Sequence, residues 1–268
     1  MRTLRPAILL ALLGLACLYT YKLEIPENRS WPASGITAIS IATGNGRIAV
    51  SAAAETTISA RITRHCYGRD KADAEQAIRN VTIFDTIVGT ELMLEAEMPS
   101  GNRSYGAHFE VTCPESLRLS LATSNGGVSL TGMRAGADAT TSNGSIALLN
   151  TAGAMNLATS NGTVTVQVHR GPINVSTSNG AVECDLAQLG PTESATLKTS
   201  NAKVTLLLPA DVSATFDAKT SSSDVTITGF GVVEYEISER AHKKGRIGSG
   251  ASTLQVETSN ADILIRSR

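Results

Sequence analysis

The sequence predicts an all-β fold, a parallel, β-helix-like solenoid of about 18-residue coils with one short covering helix near residues 70–79. Three observations lead there. Thr-Ser-Asn-Gly recurs at Thr123–Gly126, Thr141–Gly144, Thr159–Gly162 and Thr177–Gly180, at a strict 18-residue spacing. Each copy holds two apolar alternations separated by a second glycine, hence two strands and two corners. Aromatic residues make up only 4% of the chain, while small and β-branched residues that suit thin stacked sheets dominate. A unit this short cannot bury its apolar side alone, so copies must stack to make a core.

Residues 1–21 read as a signal peptide or N-terminal membrane anchor. Arg2 and Arg5 precede an apolar run from Ala7 to Tyr19, shorter than the about 20 residues of a comfortable span. Gly14-Leu15-Ala16 stands before Cys17, which makes Cys17 a candidate for lipidation after cleavage. Cleavage, lipidation and retention stay open, and each puts the folded part outside the cytoplasm. Residues 22–35 read as a linker ending in Trp31-Pro32-Ala33-Ser34-Gly35.

Residues 36–116 read as an N-terminal β region continuous with the repeats on its C-terminal side. Strands are expected at Ile36–Ala42, Arg47–Ser51, Thr57–Cys66, Val81–Phe84, Glu91–Glu97 and Tyr105–Cys113, and Thr43-Gly44-Asn45-Gly46 resembles a degenerate repeat corner. Between them Asp70 can cap a helix whose Ala74, Ala77 and Ile78 share a face. Its expected role is to cover an open sheet edge or end.

Residues 117–268 form the repeat solenoid. Val128 and Leu130, Ile146 and Leu148, Val164 and Val166, and Val182 and Cys184 hold equivalent positions and are expected to stack in columns. At the corner, glycine and asparagine tolerate positive φ. Stacked amides can also form a ladder, through Asn125, Asn143, Asn161, Asn179, Asn201 and Asn260. The copies at Thr199–Ala202, Thr220–Ser223 and Thr258–Ala261 drift from the signature, at longer and unequal intervals. The stretch Phe230–Gly250 is expected to be a coil without it.

Composition excludes some chemistry. A formal net charge of -1 and one basic cluster, Lys243-Lys244-Gly245-Arg246, offer no field for nucleic acid. Cys66 and Cys113 fall on apolar strand faces, so in an oxidising compartment they are a candidate disulfide, with separate buried thiols as the alternative. A zinc site from this pair with His65 and His108 is set aside, because alternation sends the histidines to the opposite faces. Asp138, Asp185, Asp211, Asp217 and Asp224 occupy different repeat positions and form no column, and no hydrolase or metalloprotease motif is present. No catalytic residue, metal ligand or cofactor is nominated. The sequons, including Asn28, Asn143 and Asn161, are expected from a chain so rich in Asn, Ser and Thr.

The run Phe109-Glu110-Val111-Thr112-Cys113-Pro114, the Thr-Ser-Asn-Gly repeats and the ending Val256–Ile263 resemble a bacterial family of "putative adhesins", a domain of unknown function with β-strand repeats. The resemblance spans Ile36 to Arg266 and implies the solenoid fold; it brings no catalytic residues. The expected function is a non-catalytic cell-envelope or surface protein, an adhesin or scaffold contacting an envelope protein or a glycan, and touching membrane only through its N-terminal segment. The alternative is a polysaccharide lyase or hydrolase on a β-helix scaffold. Outward residues between corners, such as Ser129, Thr165 and Gln167, are the expected binding surface.

Overall fold

Each repeat contributes one strand to each of two facing sheets: Ile146–Ala152 enters the first and Met155–Ala158 the second. The computed structural model describes residues 19–101 and 103–268, and there 23 strands form an 11-stranded and a 12-stranded sheet. Pairing through the repeat is parallel and in register. Ile146 lies between Val128 and Val164, and Leu148 between Leu130 and Val166. Leu119, Ala137, Met155 and Ile173 make the matching column in the second sheet. These columns are buried, and one apolar core runs from Ile36 to Ile265. Among the described residues no helix is long and apolar enough to cross a membrane.

Every residue of the signature has a separate task. The threonine, 2–8% exposed, donates its hydroxyl to the carbonyl of the preceding coil: Thr141 to Gly126 at 2.9 Å, Thr159 to Gly144 at 3.0 Å and Thr177 to Gly162 at 3.2 Å. The same hydroxyl accepts the N–H of its own glycine, as Thr159 does from Gly162 at 3.2 Å. Backbone N–H groups of Ser142 and Asn143 both donate to Ser124. The asparagine amides form a ladder, with Asn143 donating to Asn125, Asn161 to Asn143, Asn179 to Asn161, Asn201 to Asn179 and Asn260 to Asn201, at 2.7 to 2.8 Å. Asn45 is its first rung, accepting from Asn125.

Glycine is there for a reason other than the expected one. Positive φ belongs to the second corner, at Gly136 (88°), Gly153 (86°) and Gly171 (113°), and to none of the signature residues. A Cβ on Gly144 or Gly162 would lie 1.8 Å from the carbonyl oxygen of Gly126 or Gly144. The signature glycine is therefore demanded by backbone-on-backbone stacking.

Coils do not stack in chain order at the ends. The strands Ala38–Thr43 and Ile48–Ala52 lie between the Glu91–Cys113 coil and the first full repeat. At the other end Ser252–Glu257 and Ile263–Ser267 slot between the strands of 194–208 and those of 214–228. This places Asn260 on Asn201. Phe230–Gly250 is accordingly no coil: Val233–Ser238 and His242–Ile247 form an antiparallel hairpin on the edge of the second sheet.

The expected linker is also corrected. Tyr21–Pro32 is an edge strand paired antiparallel along its whole length with Thr57–Gly68. Its prolines concealed it, but an edge strand tolerates missing donors. Leu23, Ile25, Glu27, Arg29 and Trp31 alternate inward. Arg29 bonds Glu27 at 2.7 Å and also Asp85, and Trp31 Nε1 donates to Asp85 at 3.0 Å, so inward charges blunt this end. The helix Lys71–Ala77 is capped by Asp70, and with Ile78 it buries Ala74 and Ala77 against Cys66. The Arg69 backbone N–H and the Arg103 guanidinium hold the Asp73 carboxyl at about 2.

Two substitutions test the corner. Gly162→Ala is expected to lose about 3 kcal/mol through overpacking, read as a lowered denaturant midpoint. Asn161→Leu removes two ladder bonds and is expected to cost about 1–2 kcal/mol, a fall in Tm of about 3–6 °C; an unchanged Tm would mean that the ladder contributes nothing to stability.

Candidate functional site

Outward positions of the first sheet escape the demands of the corner. Ser129, Ala147, Thr165, Glu183 and Thr205 lie side by side in one outward column. In the next, Thr131 neighbours Leu149, Leu149 neighbours Gln167, and Asp185 neighbours Leu207. Thr165 and Gln167 meet Leu149, Glu183, Asp185 and Leu207 in an open groove of about 330 Å³; Ser129 lies outside it. Leu149 is 46% exposed there.

A backbone irregularity borders the groove. Asn150 (φ 51°) and Val168 (φ 58°) hold the left-handed conformation, and the strand register shifts between Val166 and His169. For β-branched Val168 that conformation costs about 1–3 kcal/mol. These residues disturb the alternation, and Thr151 and His169 are fully buried, bonded Oγ1 to Nδ1 at 3.0 Å. Burial lowers the His169 imidazole pKa, opposed by backbone contacts at Pro172 and Thr151. Sequence reasoning missed this pair; its signal was two polar residues at one repeat position.

Four of the five scattered aspartates are individually partnered. Asp185 meets Arg268 at 2.9 Å, Asp138 meets Arg118 at 2.7 Å, Asp224 meets Arg240 at 2.8 Å and Asp217 meets His242 at 2.9 Å. Glu183 and Asp185 share the groove, but the ion pair with Arg268 occupies Asp185. Glycoside hydrolysis needs two carboxyl groups free to face one bond.

Cys66 and Cys113 are free thiols, which corrects the candidate disulfide. In the antiparallel pair of Thr57–Gly68 with Tyr105–Cys113, Cys66 faces Tyr105, at the far end from Cys113. At about 3.3 Å per residue that is about 25 Å, beyond any bridge. Burial pushes the Cys113 thiol up to about 11 and raises those of Cys66 and Cys184, so these are inert core residues. Cys17 lies outside the described residues. His65 and His108 stack with ring centroids 4.6 Å apart, and among the described residues no group of three ligating side chains could hold a metal.

No curated protein matches the chain. Among solved structures it is similar to one from Clostridium sporogenes described as a "putative cell adhesion protein", at 14% identity and a TM-score of 0.40, covering 92% of this chain and 100% of that one. A "putative adhesin" from Bacteroides fragilis gives 10% identity and 0.43, covering 91% and 97%. A "putative lipid binding protein" from Parabacteroides distasonis gives 10% and 0.39, covering 91% and 96%. The family model described as Toastrack DUF4097 matches residues 32–266, nearly all of the solenoid, and the chain belongs to that family.

Proposed function

We propose that the protein is a non-catalytic envelope or surface solenoid that contacts an extended glycan through the outer face of the first sheet. The groove carries this reading. Its polar members Thr165, Gln167 and Glu183 stand beside the apolar Leu149 and Leu207, a mixture suited to sugar rings, which have polar rims and apolar faces. Strand neighbours about 4.8 Å apart present such positions repeatedly along one flat surface, as an extended polymer requires. The occupied Asp185 favours binding over hydrolysis. An exported location rests on Arg2, Arg5 and the apolar run Ala7–Tyr19; lipidation at Cys17 would anchor the solenoid at the membrane surface.

Isolated envelope polysaccharides on an array are expected to retain the purified protein. Combining Leu149→Ser with Gln167→Ala should weaken that retention about tenfold, or about 1.4 kcal/mol. Retention equal to the wild type removes the groove from the reading, and new reducing ends on a retained glycan would identify an enzyme instead.

A further inference from the structure

We propose that a second cleft, at the Asn45 end of the amide ladder, takes an oxyanion, a carboxylate or phosphate group, together with a proton on the stacked His65–His108 pair. This cleft of about 410 Å³ is lined by Lys22, Arg47, Tyr67 and Asn125 with the two imidazoles, and it shares no residue with the groove. His65 is only 8% exposed, and neither of its ring nitrogens has a partner. It packs so tightly over Gly106 that a Cβ there would lie 2.2 Å from Nε2. His108 Nδ1 accepts the Arg47 backbone N–H at 3.0 Å. The proton of the neutral ring is therefore on Nε2, which makes that nitrogen a donor and not a metal ligand.

The charged groups around the pair cancel. From the N-terminal strand come Lys22 and Glu24, paired with each other. Arg47 and Glu110 pair likewise, and the His65 strand contributes the Tyr67 side chain to the wall. Burial, then the adjacent ring and Lys22, lower the His65 pKa against smaller contributions from Glu24 and the Asn45 backbone. Burial, then Arg47, lower that of His108 against Glu24 and Glu110. His65, with both ring nitrogens unpartnered, can take the proton without losing a bond, whereas His108 would have to give up the bond from the Arg47 N–H. The added positive charge is neutralised by no free carboxylate on the wall, and an entering oxyanion supplies the missing countercharge. The ladder amides all donate toward Asn45, which itself donates to the Tyr105 carbonyl at 3.0 Å, so the positive ends of their dipoles point to this cleft.

Both imidazoles titrate lower folded than unfolded, so they stabilise the fold above the ordinary histidine value of 6.5 and that stability is lost as pH falls through their folded values. Anion binding and protonation must strengthen each other, by about tenfold in affinity per pH unit for one coupled proton. The test is thermal melting of the full chain from about pH 8 to about pH 5 in inorganic phosphate, D-glucuronate or chloride at matched ionic strength. Tm is expected to fall toward acid in chloride and to be restored by phosphate or glucuronate. His108→Gln should abolish the rescue, and Lys22→Gln, at an exposed position, should weaken it several-fold. Rescue by glucuronate alone supports an acidic saccharide as the source, and rescue by phosphate alone a phosphate-bearing group. Equal melting in all three anions, or full rescue in both variants, overturns the proposal.

Discussion

Backbone-on-backbone contact at the signature corner sets the geometry of the molecule. Peptide groups of Gly126, Gly144, Gly162 and Gly180 lie so close that the space for a Cβ is already filled by the carbonyl of the coil before. The buried threonine three residues before each glycine donates to the preceding coil, and Thr141, Thr159 and Thr177 also accept from their own glycine, holding that contact from both sides. With the corner fixed, strands can meet only in register, and a one-residue slip would turn every core residue outward. Within that frame the core tolerates exchange: Leu148, Val166 and Cys184 share one column, and Ala137 neighbours Met155 in another.

A stack of parallel strands has two exposed ends, each a template for unwanted pairing. Coils are threaded inward near both ends, and three of the four sheet edges finish in antiparallel elements that differ from the repeat; the fourth is the four-residue strand Val225–Thr228, parallel to Ile263–Ser267. At the N-terminal end the Glu27–Arg29–Asp85 network and a short helix cover the core. At the other end the hairpin places Lys243 over the Tyr235 ring, 5.6 Å from its centroid.

Both candidate sites lie where the repeat is broken. The groove borders left-handed Val168, and the anion cleft begins where the ladder reaches its first rung. Regular coils spend their polar groups on each other: amides on amides, threonines on carbonyls, acids on neighbouring bases. Among the described residues, the buried polar atoms left without a partner include both ring nitrogens of His65 and Nε2 of His169, beside the two irregular places.

The sequence by itself determined the coil. Spacing of Thr-Ser-Asn-Gly reveals the stack, alternation identifies the core columns, and Asp70 with Ala74 and Ala77 marks the helix, because each is a short-range pattern. Tertiary structure decided which coil sits on which. Nothing near Asn260 says that it stacks on Asn201 and not beyond Ser222, since strand order is chosen by closure of the ends and not by local propensity. The same holds for Tyr21–Pro32, whose prolines look like linker until an edge position makes them harmless, and for Cys66 and Cys113, whose faces agree while their places along the strands do not. The stacked histidines depend on the same pairing, because alternation gives a face and only register gives a neighbour.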